Sequence, residues 1–274
     1  GIAPTYAARS VSHRRGLGGA SRYVARGLGT LMRERRFMLP NLPVQGDVEI
    51  AGSEAHHLLH VLRLKPGDRI VIFDGRGTEL QAELTRCGND TASARLLAPT
   101  ESRESPLDLT MAIAVPKMQS MSRVVQKLTE LGVHRIVPVI TERTTVTAGG
   151  AERQLSRWRR IAAEACKQCG RSRVPRIEDL VPFHEFLELD LPTARLLFTP
   201  GGPSLREPER ATSCVAAVGP EGGWSDGEIA AAVANGFRPV GLGPRTLRTE
   251  TAALAAAVIL EWLWGDPPSP VKHS

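Results

Sequence analysis

The strongest constraint on the fold is the alternation of short apolar runs with helical patterns that begins at Leu107 and continues to Trp264. Each apolar run has the length of a buried strand, and a helical segment follows most of them. Strands joined in this way need crossover connections, which are right-handed in nearly all proteins. The pattern therefore predicts an α/β domain with a mainly parallel sheet.

The predicted elements of this domain follow in chain order. The strands cover residues 107–115, 135–140, 196–199, 216–219 and 240–242, and the helices cover residues 120–131, 151–170, 225–235 and 249–264.

Two glycine-bearing turns each follow an apolar run and lead into an alanine-rich helix. They are Gly219-Pro220-Glu221-Gly222-Gly223 and the segment LGPRTLRTET at residues 242–251. In one parallel sheet both turns lie at the same edge, so their amides and carbonyls can converge on one ligand. A phosphate loop would normally add a Lys-Ser/Thr pair, whereas Trp224 and Ser225 follow here. The residues after the glycines therefore do not favour a phosphate site, and Ser225 is predicted to be the N-cap of the next helix.

The first part of the chain has a different pattern of apolar runs and turns. Residues 48–50, 69–73, 78–85 and 91–97 read as short strands separated by glycine turns, and Ser53 is predicted to cap one helix between them. Short antiparallel strands of this kind predict a small β-barrel over residues 32–105. The polar segment 99–106 is the linker.

Charge and hydropathy limit the cellular setting. The net charge is +6, and residues 1–31 hold five arginines and no acid, so the remaining chain is close to neutral. We interpret residues 1–31 as a disordered basic extension, a transit segment or the product of a start assigned too early, and residues 266–274 as a tail. The longest apolar stretch, residues 252–260, is too short to span a membrane. A cytoplasmic location is expected, or an organelle matrix if the extension is a transit segment.

Two groups of potential metal ligands are predicted to bind no metal. Cys166 and Cys169 lie inside a helical pattern without a second pair at zinc spacing, so they read as ordinary helix thiols. His56, His57 and His60 lack the glutamate of a zinc-protease motif and read as packing or hydrogen-bonded side chains.

Three motifs together resemble one known family. GPEGG at residues 219–223, LGPRTLRTETA at residues 242–252 and QKLTELGV at residues 126–133 are similar to the RsmE family of ribosomal RNA small-subunit methyltransferases, which methylate N3 of a uridine and belong to the SPOUT superfamily. The resemblance runs from about residue 32 to about residue 265. It implies a PUA-like RNA-binding barrel over residues 32–105 and a SPOUT methyltransferase domain with a deep trefoil knot over residues 106–265. It also implies the cofactor S-adenosylmethionine, a homodimer and ribosomal RNA within the small subunit as substrate.

The resemblance assigns roles to single residues. The implied cofactor-binding residues are Thr199, Gly219, Pro220, Glu221, Gly222, Gly223, Leu242, Gly243, Leu247 and Thr251. The implied RNA-binding residues are Arg35, Arg36, Arg63, Arg143, Arg171 and Arg245. Arg248 and Glu250 are the implied catalytic residues.

Several of these assignments have structural alternatives. Glu221 faces the positive charge of the cofactor or a partner arginine, or it caps nearby loop amides. Glu250 is either a proton acceptor or a first-turn acid of the last helix. Arg245 and Arg248 either pair with phosphate or stabilise negative charge on uracil. The arginine clusters read equally as a solvated face.

One departure from the family and one rival function remain. Lys117-Met118-Gln119-Ser120 stands where the family commonly has a charged glycine turn, which puts the contact with RNA in question but not the cofactor site. A dinucleotide-binding dehydrogenase is disfavoured, because no glycine motif follows the strand ending at Val115. A non-catalytic RNA-binding or ribosome-assembly protein is the stronger alternative.

Overall fold

The computed structural model describes residues 34–205 and 210–265. Within these ranges, residues 35–205 and 210–265 belong to one compact unit. The interpretations of residues 1–31 and 266–274 fall outside the described residues. Within the described ranges, no helix combines the length and the hydropathy that crossing a bilayer requires.

The first sheet has five strands in the order β1-β3-β4-β5-β2. Only the β1–β3 pair is parallel, and the other three ladders are antiparallel. Phe37, Ile50, Leu58, Ile72 and Leu84 are buried in its core. The strands are β1 (Arg36–Met38), β2 (Asp47–Ile50), β3 (Arg69–Phe73), β4 (Glu79–Cys87) and β5 (Ala92–Pro99). Four of them match the predicted strands to within two residues, whereas β1 is too short to show a periodic pattern.

One helical segment interrupts this sheet and begins differently from the prediction. Helix α1 (Gly52–His56) continues into a π-helical turn at His57–Val61. The N-cap is Ala51, and it makes no side-chain capping bond, so the prediction of Ser53 as N-cap is wrong. Ala55 and Leu58 are buried and anchor the segment to the core. Among the described residues, no three His, Cys, Asp or Glu side chains are grouped to hold a metal.

The second sheet confirms the predicted α/β architecture. Its order is β12-β10-β11-β6-β7-β8, with β9 also paired to β7, and every ladder is parallel. Its strands are β6 (Asp108–Ala114), β7 (Arg135–Ile140), β8 (Arg176–Ile177), β9 (Val181–Pro182), β10 (Ala194–Phe198), β11 (Ser213–Val218) and β12 (Arg238–Val240). The two-residue strands β8 and β9 were not predicted, because two residues carry no periodicity.

Helices cover both faces of this sheet. They are α2 (Met118–Glu130), α3 (Ala148–Glu152), α4 (Leu155–Cys169), α5 (Phe183–Leu187), α6 (Asp226–Ala234) and α7 (Thr249–Trp264). Successive residues of β6 point to opposite faces, so Met111 packs with α2, α4 and α7 while Ala112 packs with α5 and α6. The single helix predicted over residues 151–170 is two helices, α3 and α4, and α5 was not predicted.

The two cysteines of α4 lie within the helix and form no disulfide. Cys166 and Cys169 are both free. Burial is the largest influence on each thiol, and it raises the pKa of Cys166 to about 12. The pKa of Cys169 is also raised by burial. Thiols in this state are weak nucleophiles and weak metal ligands.

Two arginines that the sequence placed on the RNA are instead buried between the sheets. Arg36 is 7% exposed, pairs with Glu79, and donates a 2.9 Å hydrogen bond to the Arg171 carbonyl. Arg171 is 3% exposed and donates to the carbonyls of Thr129 and Val133 at 2.9 and 2.8 Å. Buried guanidiniums require partners of this kind, and they have no access to a phosphate. The prediction that Arg36 and Arg171 contact RNA is therefore corrected: both join the first sheet to the second.

Glu104 completes this junction. Its carboxylate lies 2.8 Å from Arg171 Nη2 and accepts hydrogen bonds from the amides of Ser172 and Arg173 at 2.8 and 2.9 Å. Burial acts to raise the pKa of Glu104, but the Arg171 charge and these hydrogen bonds outweigh it and hold the pKa below its usual 4.5. The ionised carboxylate is therefore the form that the fold stabilises.

We expect Glu104→Gln to lower the free energy of unfolding by about 1–3 kcal/mol at pH 7, because a buried guanidinium loses its charged partner. A pKa depressed in the folded state gives stability that is present above 4.5 and lost as pH falls through the lower folded value. Urea unfolding between about pH 3 and 7 should thus show a steeper loss at acidic pH for the wild type than for the variant. The exposed neighbour Glu101, changed to Gln, is the control; equal effects of the two substitutions would contradict this account.

Candidate active site

Three loops meet at the carboxyl edge of the second sheet, where β10, β11 and β12 end. Since β10 lies between β11 and β12, the two glycine turns flank the loop that begins at Thr199. The three loops and the start of α7 enclose one cleft. It is lined by Phe198, Thr199, Pro200, Val218, Gly219, Pro220, Glu221, Gly223, Trp224, Leu242, Gly243, Arg245, Thr246, Leu247, Thr249 and Ala252.

Side chains from outside the first glycine turn hold it in place. The Thr249 hydroxyl at the start of α7 donates to the Gly219 carbonyl at 2.9 Å. The Trp224 indole donates to the Phe198 carbonyl at 3.0 Å, and Trp224 is buried. Arg143 donates to the Gly222 carbonyl at 2.9 Å from the loop after β7. The turn is therefore tied to three other segments of the edge.

Helix α6 begins directly after this turn with a complete capping box. The Ser225 hydroxyl accepts from the Glu228 amide at 3.3 Å, and the Glu228 carboxylate accepts from the Ser225 amide at 2.9 Å. The prediction of Ser225 as an N-cap is confirmed. Two otherwise unpaired amides at the helix start are satisfied in this way.

Two glycines permit a close backbone approach beneath the cleft. The loop after β10 pairs with the end of β12, since the Gly241 amide donates to the Pro203 carbonyl at 2.8 Å and the Thr199 amide donates to the Val240 carbonyl at 2.8 Å. A Cβ atom on Gly241 would lie 2.3 Å from the Gly202 carbonyl oxygen, and one on Gly202 would lie 2.7 Å from the Val240 carbonyl carbon. Neither position has room for a side chain.

The chemistry of the cleft wall is mixed. Phe198, Val218, Leu242, Leu247 and Ala252 give it an apolar surface, while the loop backbones and the exposed Glu221 and Arg245 supply polar groups. Its cavity volume is about 60 Å³, below the ~300 Å³ of a typical small-molecule site. A ligand of ordinary size must therefore extend beyond the cleft or separate the loops.

Most of the residues predicted to bind a cofactor line this cleft. Thr199, Gly219, Pro220, Glu221, Gly223, Leu242, Gly243 and Leu247 do so, together with the predicted RNA contact Arg245. Gly222 and Thr251 are not part of the lining. Gly222 faces Arg143, whose Cβ lies 3.2 Å from where a Gly222 side chain would begin, and Thr251 is exposed on the first turn of α7.

The predicted catalytic pair lies at the start of α7 beside the cleft. Arg248 is exposed and is the N-cap residue of the helix. Glu250 is half-buried, and its Oε2 atom is buried without a hydrogen-bond partner in the described part of the chain. An unpaired buried carboxylate oxygen is costly to maintain, so Glu250 is marked out among the acids at this edge.

The remaining predicted RNA contacts are spread over the surface. Arg35 and Arg63 are exposed on the first sheet, and Arg35 lies 3.5 Å from Asp68. Arg143 is exposed, but its guanidinium is engaged with the first glycine turn.

The cleft also contains residues that the sequence alone did not assign to it. Trp224, Thr246, Thr249 and Ala252 are part of the lining. The signal for Thr249 was present in the second motif, but a threonine at a helix start reads equally well as a cap. In the structure Arg248 is the N-cap, and the Thr249 hydroxyl binds the other glycine turn.

Comparisons with known proteins identify the family. Residues 103–261 match the RNA methyltransferase domain model, and residues 50–97 match the RNA methyltransferase PUA domain model. Ribosomal RNA small subunit methyltransferase E of Synechocystis is 36% identical over 234 residues, which cover 82% of this chain and 76% of that protein. The chain belongs to the ribosomal RNA small subunit methyltransferase E family. The family model places a PUA-like domain at the first sheet, and the parallel sheet is the methyltransferase domain.

Two solved methyltransferase structures have a similar architecture. The enzyme from Neisseria gonorrhoeae, solved bound to S-adenosylmethionine, is 38% identical with a TM-score of 0.78, and the match covers 85% of this chain and 99% of that one. A methyltransferase from Legionella pneumophila, solved with the same cofactor, is 34% identical with a TM-score of 0.78 over the same shares of the two chains.

We expect Gly241→Ala to destabilise the protein by about 1–3 kcal/mol or more, because its Cβ would overlap the Gly202 carbonyl. Gly149→Ala is the control, since Gly149 lies in the first turn of α3 and a Cβ added to it would meet no atom within 4 Å. This control should be neutral, or more stable by up to ~1 kcal/mol from helix propensity. Denaturant unfolding measures the free energy of unfolding of both variants. An unchanged midpoint for Gly241→Ala would show that the two backbone segments can move apart at little cost.

Proposed function

We propose that this protein is an S-adenosylmethionine-dependent methyltransferase that methylates N3 of a uridine in small-subunit (16S-type) ribosomal RNA by direct methyl transfer. The observation that carries the proposal is the cleft itself. The two family motifs and the Thr199 loop converge on it, in a chain whose relatives from Neisseria and Legionella were solved with S-adenosylmethionine.

The cleft residues suit this cofactor. The apolar wall of Phe198, Val218, Leu242 and Leu247 matches an adenine ring, and the loop amides and carbonyls can read its edge. The exposed Glu221 carboxylate complements a positive sulfonium. When bound, the cofactor supplies a methyl group on a positively charged sulfur.

The arginines of the second turn suit the uridine. Removing the N3 proton places negative charge on the two uracil oxygens, and a guanidinium beside them lowers the energy of that anion. Arg245 lines the cleft and Arg248 is exposed at the start of α7. The cleft holds the reacting atoms in line, and this orientation supplies a large part of the acceleration. A base stacked in a helix cannot enter, so the target uridine is unpaired or flipped out.

Glu250 is the proposed proton acceptor. Its Oε2 atom has no hydrogen-bond partner among the described residues, so no existing hydrogen bond has to break before it accepts the N3 proton. It follows Thr249, which lines the cleft, but is not itself part of the lining.

The wider assembly follows from the same proposal. Residues 32–105 act as the RNA-binding PUA-like unit and residues 106–265 as the SPOUT unit, with the crossing at Gly202 and Gly241 as part of a deep trefoil knot. A second copy covers the exposed apolar face of α7, where Val258, Ile259, Leu263 and the 62% exposed Trp262 lie together. Ala253, Ala256 and Ala257 are buried in the chain's own core and do not contribute to that face. The expected location is the cytoplasm.

Methylation of RNA tests the activity directly. We expect the purified protein to transfer a labelled methyl group from S-adenosylmethionine to unmodified small-subunit RNA or to assembled subunits, with N3-methyluridine identified by mass spectrometry. Binding of RNA without any methyl transfer to either substrate would favour the alternative, a non-catalytic RNA-binding or ribosome-assembly protein.

Thr249→Val should weaken binding of S-adenosylmethionine about 3- to 10-fold, the effect of one lost hydrogen bond, because the Gly219 carbonyl is then no longer fixed. Thr251→Val is the matched control, since Thr251 lies two residues away and outside the cleft lining. Calorimetric titration measures both constants. A larger effect at Thr251 would restore that residue to the cofactor site and remove Thr249 from it.

Glu250→Gln should lower kcat by about 10²–10⁴-fold if the carboxylate accepts the N3 proton, with the affinity for cofactor unchanged. The loss should shrink at high pH, where the uridine ionises without help. Asp226→Asn, at an exposed position on α6, is the control for the change of charge. Turnover that stays intact in Glu250→Gln at every pH would assign the proton to another acceptor.

A further inference from the structure

A groove lies between α2 and α4, outside the cleft and outside every predicted RNA contact. Gln126 of α2 lines one side, and Arg160, Ile161, Glu164, Ala165 and Gln168 of α4 line the other. Its cavity volume is about 290 Å³, larger than that of the cleft. Four of the six lining side chains, Gln126, Arg160, Glu164 and Gln168, carry polar or charged ends that can reach an occupant.

The positive charges beside this groove are unpaired. Arg123 precedes Gln126 by three residues, so the two side chains lie on one face of α2. Arg157 likewise precedes Arg160 by three residues and lies on the same face of α4. Arg123, Arg157 and Arg160 are exposed, and none of them forms an ion pair within the described ranges.

Neighbouring cations on the same helix are, by contrast, neutralised. Arg159 lies 2.8 Å from Asp179, and Lys167 pairs with both Glu54 and Glu164. The one acid in the groove, Glu164, shares Lys167 with Glu54, so these three groups together carry one negative charge beside the three guanidiniums. Three guanidiniums remain as a local positive excess in a chain whose charge beyond residue 31 is nearly balanced.

Two of the three arginines lie nearer the catalytic edge than the groove does, because most of the groove lining belongs to the second halves of α2 and α4. Helices that follow parallel strands begin at the carboxyl edge of the sheet, so the first halves of α2 and α4, with Arg123 and Arg157, lie toward the cleft. The loop between β7 and α3 touches the first glycine turn through Arg143, and α2 packs against both α4 and α7.

We propose that Arg123, Arg157 and Arg160 form a binding track for the phosphodiester backbone of the RNA that flanks the target nucleotide. The inference rests on the proposed function and extends it to a second surface. Guanidinium forks bind phosphate oxygens in pairs, while Gln126 and Gln168 offer donors and acceptors to ribose hydroxyls. The track binds the RNA backbone, and the cleft binds the target base. Phosphate contacts of this kind position an RNA, whereas base contacts determine which sequence is recognised.

The test is RNA affinity as a function of salt for the triple variant Arg123→Gln/Arg157→Gln/Arg160→Gln. The probes are a labelled single-stranded RNA of mixed sequence, about 30 nucleotides long, and unmodified small-subunit RNA. Three lost phosphate contacts on single-stranded RNA should reduce the slope of log K against log salt by about 2, and weaken binding about 10- to 100-fold at ~0.15 M salt. KM for RNA should rise while kcat at saturating RNA and the affinity for S-adenosylmethionine stay unchanged.

The matched control removes the same charge elsewhere, in Arg176→Gln/Arg210→Gln/Arg238→Gln, where Arg210 is exposed and precedes β11. Arg176 and Arg238 begin β8 and β12, at the opposite edge of the sheet. The single variant Arg160→Glu, with melting temperature checked, guards against misfolding of the triple variant and should also weaken RNA binding.

Each outcome decides between clear alternatives. Wild-type RNA affinity in the groove variants, or an equal loss in the control, would overturn the proposal, and so would a groove that prefers polyglutamate to RNA. A wild-type protein that binds RNA through these arginines but never methylates it would leave the track standing and sink the proposed activity instead.

Discussion

The close approach of two backbone segments at Gly202 and Gly241 is the constraint on which the candidate active site depends. Hydrogen bonds from Thr199 to Val240 and from Gly241 to Pro203 bring the loop after β10 against the end of β12. Because β10 lies between β11 and β12, this contact also sets the spacing of the two glycine turns on either side of it. The sheet below anchors the ends of all three loops, so the cleft keeps its shape without depending on the stiffness of a single loop.

Charge is used in two different ways in this molecule. Arg36 and Arg171 are buried, and their guanidiniums bind carboxylates and backbone carbonyls between the two sheets. Arg123, Arg157 and Arg160 stay exposed without acidic partners among the described residues. A buried arginine fixes the orientation of one sheet relative to the other at a desolvation cost, whereas an exposed one remains available to a polyanion.

The sequence predicted the elements whose signal is local. Strands β3 and β7 and helix α7 have the predicted bounds, and the two glycine turns meet at one edge because parallel strands require it. It did not predict β1, β8 and β9, which are too short for a period, or the burial of Arg36 and Arg171. Arginine in a polar segment looks the same whether its partner is a phosphate or a carboxylate more than forty residues away, as Glu79 is from Arg36. Most of the cleft was predicted because a glycine-rich turn after a buried strand lies at the carboxyl edge of a parallel sheet. The role of Thr249 was not predicted, because it depends on a contact between residues 30 positions apart.

That contact also orders the events of synthesis. The first sheet and strands β6 and β7 lie wholly before residue 141, whereas the cleft is assembled from residues 198–252. At about 5–20 residues per second, a ribosome exposes the early part of the chain several seconds before the start of α7. A nascent chain can therefore form its PUA-like unit while it still has no place for a methyl donor. Binding of the methyl donor is then the last step in maturation. Because the donor binds only the completed edge of the sheet, it stabilises the completed fold relative to its precursors.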